Sequence, residues 1–242
     1  MCLRAVLGVL LLCSFAAHGV EQGEITVEQI APNVFLHSST QSTTNFGRVS
    51  SNGLIVVREN NAVIIDTPWS LEDSAALIAW VKEAGYQLAG VLATHSHEDR
   101  TGGFALVNSL SIPTYASLKT NLLLREDGRA AAQHEFSESS FWWLNGTVEV
   151  FYAGAGHTLD NHVVWLPEER ILFGGCLIRS LASSGLGFVG QADLDEWPST
   201  VQKLVERYSP ISIVIPGHGA VGSAELLDRT LELLQYASKE NH

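Results

Sequence analysis

A chain of 242 residues carrying 14 Lys+Arg against 26 Asp+Glu has a formal net charge of −12 at pH 7. With 46% hydrophobic residues, 17% charged and only 7 Pro, it has the makeup of a globular protein with a substantial core, which excludes wholesale disorder and fibrous repeats. An acidic chain without a basic cluster repels phosphate, so neither nucleic acid nor an anionic membrane surface is an expected partner.

Residues 1–19 read as a cleavable signal peptide. Arg4 supplies a short positive start, Ala5 to Phe15 is an apolar run too short to span a bilayer, and Ala17-His18-Gly19 places small residues before Val20. Leu12-Cys13 fits a lipoprotein site poorly. The expected product is a periplasmic, monomeric domain over residues 20–242. Of Cys2, Cys13 and Cys176, only Cys176 stays in that product, so no disulfide forms within one chain. Its thiol is either a buried small hydrophobe or a thiolate held by a metal.

Short strands rich in Val and Ile are predicted at Ile25–Ile30, Val34–His37, Gly53–Arg58 and Ala62–Asp66, separated by Asn and Gly turns. Ser70-x-x-Asp73 starts a helix running to about Ala84. Leu88–Ala93 reads as a buried strand leading into THSHEDRTGG, with short helices near Gly103–Asn108 and Ser117–Arg125. Strands follow at Thr147–Ala153, His162–Leu166, Ile171–Gly174 and Ile211–Ile215. Helices are predicted over Asp193–Tyr208, capped by Asp193, and over Ser223–Ala237. Each half gives strands first and then strand–helix alternation, without a linker or repeat. The prediction is a single α/β domain of two mixed sheets with helices outside.

Chemistry-bearing residues gather at strand ends. His95, His97 and Asp99 stand at i, i+2 and i+4, which share one face if the segment is extended, at about 7 Å between alternate Cα atoms. Gly156-His157-Thr158 and Pro216-Gly217-His218-Gly219 set a His beside Gly, and Gly174-Gly175-Cys176 ends a strand in the same manner. His37, His134, His162 and His242 lack such settings and read as surface or satisfied hydrogen-bonding groups. The other four, leaving aside His18 in the leader, combine with Asp99 and Cys176 into six candidate ligands. That is too many for one tetrahedral zinc and suits two catalytic zincs with three protein ligands each.

DTPW (Asp66–Trp69), THSHED, GHTLDN, FGGCLIR and VIPGHG together resemble the metallo-β-lactamases of class B, subclass 1, over almost the whole mature chain. The resemblance implies an αβ/βα sandwich with the metals at one edge. It implies His95, His97 and His157 on the first zinc and Asp99, Cys176 and His218 on the second. It implies hydrolysis of a β-lactam amide by a metal-bound hydroxide, with Asp99 orienting the attacking water and Arg179 binding the substrate carboxylate where the family often has Lys. Asp66 either supports the site through a neighbour or is a polar turn residue. Two departures stand out. Phe188 replaces an Asn that reaches the substrate carbonyl in several members, and the expected flap loop, Ser38–Val49, carries Phe46 as its lone aromatic. The alternatives are a thioesterase of the glyoxalase II type and a non-catalytic periplasmic zinc-binding protein. The first typically carries His after the motif Asp and a bridging Asp later, where this chain has Arg100 and Cys176. The second would close the open coordination positions that six ligands leave on two metals.

Overall fold

Alternation of side chains decides which layer each strand residue serves. The computed structural model describes residues 25–137 and 139–240; the leader over residues 1–19, Cys2, Cys13 and His242 lie outside the described residues. Strands β1 (Thr26–Ala31), β2 (Val34–Thr43), β3 (Gly47–Arg58) and β4 (Asn61–Ile65) pair antiparallel in sequence. Strands β5 (Gln87–Leu92), β6 (Thr114–Ser117) and β7 (His134–Phe136) extend the same sheet in parallel. A second sheet is ordered β12 (Ile213–Pro216), β11 (Ile171–Gly175), β10 (Val163–Leu166), β9 (Val148–Phe151) and β8 (Ser140–Trp143). Only its β11–β12 pair is parallel.

Leu54, Val56, Val63 and Ile65 point inward to meet Val150, Val164, Leu166 and Phe173 between the sheets. Their neighbours Ile55, Val57, Ala62 and Ile64 point outward beneath α1 (Leu71–Glu83), α3 (Phe104–Ser109) and α4 (Leu118–Glu126), packing on Leu77, Val81, Phe104 and Leu124. On the far side Val163, Leu172 and Val214 meet Trp197, Val201 and Leu204 of α5 (Trp197–Arg207) and Leu226, Leu227 and Leu234 of α6 (Glu225–Glu240). This is helix, sheet, sheet, helix, as the sequence predicts. Each fully buried Leu or Ile contributes about 1.5–3 kcal/mol relative to exposure, and both faces of both sheets are filled this way.

Ser70 caps α1 by accepting from the Asp73 N–H at 3.0 Å. Asp193 does not cap α5 as predicted. Its Oδ1 accepts from Glu196 N at 3.0 Å in a separate turn, and the helix begins at Trp197 with Pro198 in its first turn. The Ser38–Val49 segment is also no loop. Strands β2 and β3 stay paired from Val34↔Val56 out to Thr43↔Gly47, leaving only Thr44–Phe46 as the turn. The Ser- and Thr-rich run suits a pleated ladder that is solvated toward its tip, and the Thr43 hydroxyl accepts from Phe46 N to close it. Strands β6, β7 and β8 have three or four residues each, too short for a hydrophobic period to register.

Candidate metal centre and cleft

Strand β5 delivers the chain to Thr94–His97, and α2 (Glu98–Thr101) follows at once. The segment is therefore not extended through Asp99. His95 and His97 share a face, but the helical turn carries Asp99 to the opposite side of the site. Asp160 Oδ2 accepts from Ser96 N at 2.9 Å, and Arg129 Nη1 donates to Ser96 O at 2.5 Å, so this loop is clamped from both sides.

One cluster consists of imidazoles alone. His95 Nε2 lies 3.2 Å from His97 Nδ1, and His157 Nε2 lies 3.1 Å from the same atom. Burial pushes both His95 and His157 well below the ordinary imidazole range, aided by the neighbouring His97. Tautomers follow from the outer partners. Thr94 Oγ1 donates to Asp66 Oδ2 at 2.8 Å, so it must accept from His95 Nδ1 at 3.2 Å, which leaves a lone pair on His95 Nε2. Three ring nitrogens this close form a good cradle for a cation toward which each can turn a lone pair.

The other cluster joins Asp99, Cys176 and His218. His218 Nε2 is 3.3 Å from both Asp99 Oδ2 and Cys176 Sγ, and Cys176 Sγ is 3.7 Å from Asp99 Oδ2. His218 Nδ1 donates to Ser50 O at 2.9 Å, which again turns a lone pair toward the site. His95, Asp99 and Cys176 place ligand atoms within 4.8 Å of one another, so the two clusters adjoin. Gly217 is required here because a Cβ would stand 2.7 Å from Cys176 Sγ and 2.6 Å from its backbone nitrogen.

Arg100, unassigned by sequence reasoning, organises this second cluster. Fully buried, it donates through Nη2 to Asp99 Oδ2 at 2.6 Å, Cys176 Sγ at 3.0 Å and Gly217 O at 3.0 Å. Through Nη1 it reaches Asn52 O at 2.5 Å and Asp66 Oδ2 at 3.4 Å. Burial raises the Asp99 carboxyl, but Arg100 with the surrounding imidazoles outweighs it and holds the group at about 2. Burial also pushes the Cys176 thiol up to about 12 against the pull of Arg100, so a thiolate there needs more positive charge than Arg100 provides. Asp66 is no surface turn residue: it is fully buried, pushed up to about 7 by burial, and supports His95 through Thr94.

Both clusters open onto a cleft of about 520 Å³. Its walls include Phe46 and Val49 from the β2–β3 hairpin, Trp69, Arg179 and Phe188. Phe46 stands exposed at the hairpin tip and not packed at its base. Arg179 is half-buried along the cleft, and its backbone N–H donates to Thr230 Oγ1 at 2.9 Å. Phe188 is exposed at the rim with its ring 5.5 Å from that of His97. His37 and His162 are buried with hydrogen bonds to the Asp66 and Asp160 carbonyls, and His134 is exposed, so none of the three enters the cleft. Asn52, which holds the His218 turn through Pro216 O and Gly219 O at 2.9 and 2.8 Å, carries no sequence signal. Arg100 does carry one: it is an arginine set directly against a ligand-type run in an acidic chain.

The sequence model of the metallo-beta-lactamase superfamily matches residues 46–127. A metallo-beta-lactamase type 2 of Pseudomonas aeruginosa is 42% identical over 236 residues, covering 98% of this chain and 95% of its own. The solved structure of TMB-1 superposes with a TM-score of 0.87 at 47% identity, covering 88% of this chain and 98% of that one. DIM-1 metallo-beta-lactamase exposed to ceftazidime gives 0.88 at 47% identity, with 90% and 100% covered. Similarity of this extent, on a fold and a ligand cluster of this form, places the chain in the metallo-β-lactamase family.

Proposed function

We propose that this hydrolase opens the β-lactam amide of penicillins, cephalosporins and carbapenems with two zinc ions in the cleft, and so confers resistance to them. The observation that carries the reading is the pair of adjoining donor sets at the floor of an open, partly apolar cleft. His95, His97 and His157 would hold the first zinc, and Asp99, Cys176 and His218 the second. Nitrogen and thiolate donors favour zinc over calcium or magnesium. Zinc held there would supply Lewis acidity and would make a nearby water acidic enough to act near neutral pH.

The chain's own residues do the rest. Arg179 binds the carboxylate beside the scissile ring, by a charge-assisted contact whose planar fork matches that group. Asp99, kept ionised beside Arg100, accepts a hydrogen bond from the attacking water and orients it. Phe188 cannot donate to the substrate carbonyl, so its contribution is apolar contact at the rim. Phe46 and Trp69 offer further apolar surface for substituents on the ring. No Ser nucleophile is required. We read the mature protein as an exported, periplasmic monomer; among the described residues no helix is long and apolar enough to cross a membrane.

Purified mature protein is expected to hydrolyse nitrocefin and imipenem, to lose activity with dipicolinate and to regain it with added zinc. Clavulanate is expected to leave it active. Turnover that persists after exhaustive zinc removal, or no turnover of either substrate with zinc restored, would overturn this reading.

A further inference from the structure

The ligand-type histidines differ in what orients them. His218 is held by a main-chain carbonyl and His95 by a buried threonine hydroxyl, both parts of the fold's frame. His97 is held by a side chain from an exposed loop: Gln191 Oε1 lies 2.7 Å from His97 Nε2. That loop, between β11 and α5, also carries Phe188 against the edge of the same ring. Its last turn is tied down where Ala192 N donates to Val189 O at 3.1 Å and Asp193 N donates to Gly156 O at 2.8 Å. The second of these bonds ends on the residue before His157.

We propose that Gln191 is a positioning residue for the first zinc: its Oε1 accepts the Nε2–H of His97 and so holds the Nδ1 lone pair toward His95 and His157. This rests on the two-zinc reading above. The alternative tautomer would put a proton on His97 Nδ1, 3.2 and 3.1 Å from two other ring nitrogens and in the place of the metal. An amide oxygen facing Nε2 selects against it. The amide is also neutral, and the hydroxyl behind His95 is neutral, so the outer partners of these two ligands add no negative charge to the first site. A single bond thereby links the loop that rims the cleft to the geometry of a metal ligand. Linkage makes the coupling reciprocal: whatever orders the loop tightens the first zinc, and zinc orders the loop.

The test is zinc titration of metal-stripped wild type, Gln191→Leu and Gln191→Glu against a chromophoric chelator. Proton NMR of the imidazole N–H groups in the zinc-loaded proteins runs in parallel. Leu removes the acceptor at similar size and Glu keeps it. Gln191→Leu is expected to weaken one of the two zincs about tenfold or more, leaving the other unchanged, and to speed solvent exchange of one imidazole proton. Gln191→Glu is expected to retain wild-type affinity or exceed it. Wild-type affinity and proton exchange in Gln191→Leu would overturn the proposal, as would equal losses in both variants, which would assign the effect to loop structure. Wild-type protein that binds no zinc would overturn the two-zinc reading itself.

Discussion

The two ligand clusters are built on opposite electrostatic plans. Around His95, His97 and His157 no guanidinium hydrogen-bonds to a ring among the described residues: the imidazoles crowd toward a common point, with a hydroxyl and an amide behind two of them. Around Asp99, Cys176 and His218 a buried guanidinium already touches the carboxylate and the sulfur. The first cluster is a receptor for charge from outside, whereas the second is half neutralised by the chain. Side chains outside the ligand set therefore matter differently in the two. Behind the imidazoles they choose a tautomer; behind the thiol they balance charge.

The sharpest way to break the second plan is Arg100→Ala. Its loss strands Asp66 and Asp99 in the interior without their counter-charge, an effect of about 3–5 kcal/mol. The metal-free variant is expected to unfold at markedly lower urea concentration than wild type. A midpoint within error of wild type would mean that the guanidinium is not the balancing charge. Next is Cys176→Ser, which removes both softness and charge from one cluster only. Titration is expected to retain one tight zinc and to weaken the other more than about a hundredfold, beyond the range for changes in outer partners. Two equally tight equivalents would show that Cys176 is not a ligand.

Arg179 belongs to neither plan and measures the substrate side of the cleft. The proposed contact of Arg179 with a substrate carboxylate would be worth about 1.5–3 kcal/mol. Arg179→Ala is expected to raise KM ten- to a hundredfold for penicillins, cephalosporins and carbapenems alike, with a smaller loss in kcat, because the anion is bound before and during reaction. Arg179→Lys is expected to restore much of it. Efficiency unchanged within about twofold would place the anion elsewhere.

The smallest effect concerns His37, whose Nε2 donates to the Asp66 carbonyl. Burial lowers its imidazole from 6.5 to about 4. Below pH 6.5 the unfolded chain takes up a proton that the folded protein refuses until about pH 4, so acidification destabilises the fold across that window. The slope is about 1.4 kcal/mol per pH unit for one group. Urea unfolding of metal-free His37→Gln between pH 6.5 and 4.5 is expected to show a pH slope shallower by that amount. Identical slopes would show that His37 is already solvated.

The six ligand-type residues were legible because each occupies a strand end beside Gly or within one short run, a local signal. Their grouping into two clusters was legible only through the resemblance, since the turn that swings Asp99 away from His97 leaves no mark in residue spacing. Arg100 lay in plain view next to Asp99, yet its partners Asn52 and Gly217 are 48 and 117 residues away in sequence. Gln191 gave no signal, since a lone Gln in a Gly-rich loop reads as solvated. The strands of the layered sheets could be read from the Val- and Ile-rich runs Leu54–Val57 and Ala62–Ile65, apolar without interruption because both their faces are buried. The hairpin extension through Ser38–Thr43 could not, because a ladder of polar residues, even where Ser39 is buried, has no hydrophobic period to detect.

Cys176 bears on what becomes of the folded chain before a metal arrives. A thiol reacts with oxidants and with other cysteines as its thiolate, and burial here keeps the proton on sulfur up to about pH 12 in the absence of metal. A chain that has folded but not yet met a metal therefore carries this thiol in an unreactive form. Mixed disulfides and sulfenic acid, the ordinary fates of an exposed unpaired cysteine, are suppressed by the same desolvation that makes the site wait for a metal to take the proton's place.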